Sequence, residues 1–330
     1  MILVVGAGAV GTILSTYLMS VRREPVKLYV RDKDVTTLQT VQNLRVEHAG
    51  AGHPPIVAPK PILTQSLSLD DVDFLFLCVK FRDLDTVLDA LPPIPQRCAI
   101  VCTLNGVGAL RRIHERLPQA RVVALTVMFN GQMLEPLHAR ITTRPQILVD
   151  CETGRLCGAF VGSGMDVTRT TGEAAAWGKL LINLANAIGA LTHTTFKDLL
   201  TQQDLRAIYT AVLDEAVGLL EHAGITYQLP SPIPYRWYRS LIAGRTRLPW
   251  WFARWRNGLR DGSYPSMVAD VDAGRTTEID QLNGEIVRLG LEHGKPTPVN
   301  AELVSLVRKL EGMTQPPYLT PAELRGRLGV

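Results

Sequence analysis

Lys179, Asn183 and Asn186 interrupt an otherwise apolar run from Ala174 to Leu191, at positions i, i+4 and i+7. At about 100° per residue, both asparagines fall within about 40° of Lys179 on one stripe of a helix. The rest of the run is apolar all round, the pattern of a buried helix. Buried polar groups need partners, and a buried ammonium needs a charged one. Two arrangements meet that need. One is a hydrogen-bond network between helices, with Lys179 reaching to water; the other is a polar strip facing a bound anion.

A second set of residues points to a phosphate-bearing cofactor. Gly6-Ala7-Gly8-Ala9-Val10-Gly11 follows the apolar run Ile2 to Val5 and precedes a helical stretch, Thr12 to Ser20. In that context the first glycine makes the turn, the second lets a pyrophosphate approach the backbone, and the third lets helix pack on strand. The phosphates then lie on amide N–H groups at the helix N-terminus. Arg31 ends the next strand, where an NAD enzyme would present an acid to the ribose 2′-hydroxyl. A guanidinium there pairs with a 2′-phosphate and favours NADP(H), while the adjacent Asp32 argues the other way. Lys80 and Asn105 close two later apolar runs, at the strand ends where ligands of open α/β sheets sit.

These residues need particular elements to hold them. Ile2–Val5, Val26–Val30, Phe74–Val79, Ile100–Leu104 and Val122–Met128 read as buried strands, with a helix such as Arg82–Leu91 between them. That βαβ rhythm predicts a Rossmann-type doubly wound sheet over residues 1–172. From Glu173 the pattern changes to helices at about 174–191, 203–223, 266–273, 277–293 and 300–311, so 173–330 is expected to be an all-helical domain. The chain of 330 residues, 46% of them hydrophobic, is long enough for two cores. Its +4 net charge, with both signs interleaved, gives no argument for nucleic acid. Five cysteines without a C-x-x-C pair fit neither a disulfide framework nor a zinc site, which points to a reducing cytosol and no metal. A strand beginning at Met1 leaves no room for a signal peptide, and no apolar run approaches the ~18 residues of a membrane span, so the expected setting is cytoplasmic.

The chain resembles the ketopantoate reductase (2-dehydropantoate 2-reductase) family. The resemblance is carried by Gly6-x-Gly8-x-x-Gly11, Cys78-Val79-Lys80, Leu104-Asn105-Gly106 and Trp177-x-Lys179-Leu180-x-x-Asn183. It continues through Ser266-Met267 to Thr277-Glu278-Ile279-Asp280-x-Leu282-Asn283-Gly284. It implies NADPH-dependent reduction of ketopantoate to pantoate, in a cleft between the domains. Lys179 would then be the catalytic lysine and Glu278 its acidic partner. Asn105, Asn183 and Ser266 would contact substrate or cofactor, and Lys80 the cofactor. Asn186 is one position short of a second amide on the next turn, and joins the substrate set on the stripe argument. The chemistry agrees, because hydride arriving at a ketone carbon leaves an alkoxide that a nearby ammonium stabilises and protonates. Asp83 stands where relatives often carry glutamine, and no role is transferred to it.

The largest departure from the family runs from Leu229 to Arg260, with seven arginines, four tryptophans and no acidic residue. Its prolines Pro230, Pro232, Pro234 and Pro249 break any long amphipathic helix, which argues against a membrane or nucleic-acid partner and for a packed lid or subunit contact. A homodimer is compatible with that. Two other functions remain open at this point: reduction of a different 2-keto acid or related imine, and a non-catalytic NADP-binding sensor.

Overall fold

The computed structural model describes residues 1–21, 25–49, 54–150, 154–229 and 233–330. Cys151, Pro230 and Pro232 lie outside them. The chain forms two compact units, Met1–Gly172 and Glu173–Val330.

The first unit carries strands β1 (Ile2–Val5), β2 (Val26–Tyr29), β3 (Asn43–His48), β4 (Ile56–Pro59), β5 (Ile62–Thr64) and β6 (Phe74–Leu77). Then follow β7 (Ala99–Cys102), β8 (Arg121–Val127), β9 (Gly131–Glu135), β10 (His138–Ile141), β11 (Gln146–Asp150) and β12 (Asp166–Thr170). Its helices are α1 (Ala9–Ser20), α2 (Asp32–Thr40), α3 (Phe81–Ala90), α4 (Gly108–Arg116) and α5 (Gly154–Ala159). The main sheet has the order β12-β11-β8-β7-β6-β1-β2-β5. The six strands from β8 to β5 are mutually parallel. β1, β6 and β7 are buried at every residue, as their unbroken apolar runs require.

Two features were not foreseen. β11 joins the sheet antiparallel to β8 and carries β12 beside it, so 146–170 extends the sheet beyond Val122–Met128, the last strand read from the sequence. A separate four-stranded sheet, β4-β3-β10-β9, also forms. Helix α1 touches strands of both sheets, which explains why every residue from Gly11 to Leu18 is buried. Cys78, Cys98 and Cys102 are free thiols, whereas Cys157 is disulfide-bonded, which the cysteine spacing did not suggest.

The second unit is helical: α6 (Ala174–Asn183), α7 (Ala185–Thr192), α8 (Phe196–Thr201), α9 (Gln203–His222) and α10 (Tyr235–Ala243). It continues with α11 (Leu248–Asn257), α12 (Ser266–Asp272), α13 (Asn283–Glu292), α14 (Pro298–Leu310) and α15 (Pro321–Leu328). The expected 174–191 helix is interrupted at Leu184, and the expected 277–293 helix begins only at Asn283. Contrary to the expectation that no run approaches a membrane span, Ala174–Thr192 is long and apolar enough to cross one, but 78% of its apolar window is buried within the fold, as befits a core helix.

Candidate active site

At the carboxyl end of β1 the chain turns through Gly6, whose φ of +114° an L side chain rarely adopts. A Cβ on Gly6 would lie 2.6 Å from the Cys78 carbonyl oxygen, and one on Gly11 would lie 1.9 Å from the Gly6 carbonyl oxygen. Both glycines are therefore required by packing of the turn against β6 and α1. Gly8 differs, because nothing lies within 4 Å of its would-be Cβ. It is the N-cap of α1, and no acidic residue occupies the first turn of that helix. Open space beside uncompensated helix N–H groups suits a phosphate.

A cavity of about 800 Å³ opens beside this turn, within the size range of cofactor sites. Gly6, Ala7, Gly8, Arg31 and Lys80 all line it, from the carboxyl ends of the adjacent strands β1, β2 and β6. Ala9, Val10 and Gly11 belong to the first turn of α1 and do not line it, nor does Asn105, which is half-buried beyond β7. Arg31 is exposed, and its Nε donates to Asp34 Oδ2 at 3.0 Å. Asp32, the competitor to an NADP reading, accepts a hydrogen bond from Gln65 and lies outside the lining, while Asp34 is part of it. Sequence reasoning missed the lining contributed by Met133 to Pro136, because β9 gave no periodic signal. Burial pushes the Cys78 thiol up to about 12, so it is an inert packing group here.

In the helical unit, α6 presents Lys179 near its carboxyl end and Asn183 as its last residue. Both are half-buried amid buried neighbours. Burial pushes the Lys179 ammonium down to about 8, and the Glu278 carboxylate works in the opposite direction. Asn186 falls after the interruption at Leu184, is buried, and its amide donates to Ser266 Oγ at 3.5 Å. The structure therefore brings together Lys179 with Glu278, and Asn186 with Ser266.

Two glycines let the chain pack closely against α6 and α7. A Cβ on Gly178 would lie 1.8 Å from the Gln228 carbonyl oxygen, and the Gln228 N–H donates to Ala174 O at 2.8 Å. A Cβ on Gly189 would lie 2.6 Å from Pro265, the residue that caps α12 and precedes Ser266. Glu278 sits in a turn rather than at the start of a helix. Thr277 anchors that turn, giving two hydrogen bonds to Glu311, from its N–H at 2.8 Å and its hydroxyl at 2.7 Å. Asn283 is fully buried and donates to Asn300, whose amide in turn donates to Glu215 at 2.8 Å. The Asn283 of the sequence motif is thus part of a structural network, and its partners Asn300 and Glu215 carried no signal in the sequence. Among the described residues, no group of three His, Cys, Asp or Glu could hold a metal ion.

Residues 2–152 match the family model described as ketopantoate reductase PanE/ApbA, and residues 173–311 match the model of that family's C-terminal region. The chain belongs to the ketopantoate reductase family. A 2-dehydropantoate 2-reductase of Caulobacter vibrioides is 30% identical over 318 residues, spanning 93% of this chain and 97% of that one. One from Aquifex aeolicus is 24% identical over 327 residues, spanning 94% and 96%. Among solved structures, a ketopantoate reductase from Ralstonia eutropha superposes with a TM-score of 0.73 at 25% identity, covering 94% of this chain and 98% of that one. D-mandelate dehydrogenase, solved with NADH and anilino(oxo)acetate, shares the fold at a TM-score of 0.75 and 20% identity, with the same coverage. The protein is accordingly an oxidoreductase of the ketopantoate reductase type that uses a nicotinamide cofactor. Membership of this enzyme family sets aside the non-catalytic sensor.

Proposed function

We propose that the protein reduces ketopantoate to pantoate with NADPH, and that Lys179 is the general acid. The observation that carries this reading is the placement of Lys179 on the buried helix α6 beside Glu278; burial pushes its ammonium down to about 8, and Glu278 opposes the loss of its proton. A donor with a pKa near ambient pH is largely charged at neutrality and still gives up its proton readily. The bound nicotinamide supplies a hydride to the C2 carbon of the ketone. Lys179 Nζ holds the ketone oxygen, stabilises the negative charge that develops there, and passes it the proton that completes the alcohol. Glu278 keeps the ammonium charged before that transfer.

Asn183, Asn186 and Ser266 supply neutral donors and acceptors for the hydroxyl and carboxylate of the substrate, and Asn105 is a further contact to substrate or cofactor. The turn Gly6 to Gly11 offers its amides to the pyrophosphate, and Lys80 adds a positive charge to the same cavity. Arg31 takes the 2′-phosphate by exchanging its bond to Asp34, and an exposed ion pair of that kind is worth only about 0–1 kcal/mol. In this reading residues 1–172 are the cofactor domain and 173–330 the catalytic and substrate domain. The setting proposed is the cytoplasm, and the assembly a homodimer, as in the dimeric ketopantoate reductase of Staphylococcus aureus that shares the fold.

A second reading keeps the chemistry and changes the substrate to another 2-keto acid. It is favoured by the departure at 229–260 and by the anilino(oxo)acetate held in the D-mandelate dehydrogenase structure. A panel of 2-keto acids, each run with NADPH and with NADH, separates the two. Rapid NADPH loss with ketopantoate is the expected result. Turnover of another keto acid without ketopantoate overturns the substrate assignment, and faster turnover with NADH overturns the Arg31 argument.

A further inference from the structure

The seven arginines and four tryptophans of 229–260 do not form a loose loop. Pro234 caps α10 and Pro249 opens α11, so these two prolines start short helices rather than interrupt a long one. Arg206 of α9 is buried, and its guanidinium donates to the carbonyls of Leu241, Ile242 and Thr246 at 2.9, 2.5 and 2.6 Å. That clamps the end of α10 and the turn into α11. Tyr235 and Arg239 both bond Asp214 of α9, which fixes α10 along its length. The segment is a built surface.

What this surface presents is amphipathic. Trp250 is only 5% exposed and anchors α11 to the fold, whereas Leu248, Trp251 and Trp255 are 59%, 62% and 81% exposed. At about 100° per residue these three share a stripe about 60° wide, with Arg247 and Arg254 on one flank and Arg256 on the other. Trp237 of the neighbouring α10 adds a further exposed indole. Apolar side chains edged by arginines are the arrangement of a helix lying in the headgroup region of a bilayer, where indole rings settle and guanidinium groups meet lipid phosphates.

We propose that α11, with Trp237 beside it, docks this protein reversibly on an anionic lipid surface. Charge decides the occupant. Residues 229–260 contain no acid; the next residue, Asp261, holds Arg254 at 3.2 Å and Lys197 at 2.7 Å, which leaves the face positive, so a second copy meeting it across a two-fold axis would set arginine against arginine. The stripe stands on the outside of a helix, whereas single-stranded nucleic acid is usually held in a groove. One short helix gives weak binding, to which each basic residue near the surface adds about fivefold.

The test is sedimentation of the full chain with vesicles of phosphatidylcholine alone, and of phosphatidylcholine with one third phosphatidylglycerol. Binding to the anionic vesicles only, lost at high salt, is expected, together with a blue shift of tryptophan emission. Trp251→Ser/Trp255→Ser should lower partitioning at least tenfold, with an unchanged circular dichroism spectrum and melting temperature. Absence of binding at low salt overturns the proposal, as does equal binding by the double variant. So does light scattering in which the double variant only halves the mass of a dimer, which would assign the stripe to a second copy. Retention on single-stranded RNA without vesicle binding would equally assign it elsewhere.

Discussion

Lys179 has two ordinary fates for a lysine on a core helix, reaching water or finding an acid, and the fold gives it part of each. Its ammonium is pushed from the ordinary value of 10.5 to about 8 by burial, with Glu278 opposing. As the proton donor, it predicts a kcat that holds at neutral pH and falls as pH rises through about 8. The same shift has a consequence for stability. Between about 8 and 10.5 the unfolded chain holds a proton that the folded one has lost, so stability rises with pH in that window. Below 8 both forms are protonated and the cost of burying the charge stands in full. Lys179→Met should therefore melt above the wild type at pH 7, by on the order of 1–3 kcal/mol, with the gain shrinking above pH 8. Calorimetry at several pH values checks this; a variant that melts lower at pH 7 would mean that the Glu278 pair outweighs the burial.

The glycine turn between β1 and α1 separates packing from binding within a few residues. Gly11→Ala drives a methyl into the Gly6 carbonyl and should cost about 1–3 kcal/mol or more of stability, read from denaturant unfolding. The Cβ of Gly8→Val meets nothing within 4 Å, and Gly8 has a φ of −75° that valine accepts. Its melting temperature should hold while NADPH binding, measured by titration, weakens at least tenfold. The turn was legible in the sequence because glycine spacing and the flanking apolar runs state the same geometry. The four-stranded sheet was not legible, since its strands are short and alternating burial shows only in β3 and β10. The break at Leu184 was hidden for a different reason: an apolar run continues through it unchanged. α10 and α11 were hidden by prolines that read as breakers but stand at helix starts.

For the whole chain, Rossmann sheet first and helices after were read from the change of periodicity near residue 173, which is also where the compact units divide. The network around the Glu278 turn and Asn283 was not readable, because Glu311 meets Thr277, Asn300 meets Asn283 and Glu215 meets Asn300 only through tertiary packing. A ligand that binds only the folded chain raises its stability, by about 2.7 kcal/mol at one hundred times its Kd. NADPH should raise the melting temperature accordingly, with slowed hydrogen exchange concentrated at β1, α1 and the end of β6; protection centred on α6 instead would place the main nucleotide contacts elsewhere. The most direct trial of the central claim compares NADPH oxidation by wild type and Lys179→Ala at saturating ketopantoate. A fall in kcat of about 10²–10⁴-fold with NADPH affinity retained is the predicted result, and a variant turning over at the wild-type rate would contradict the assignment of Lys179 as the proton donor.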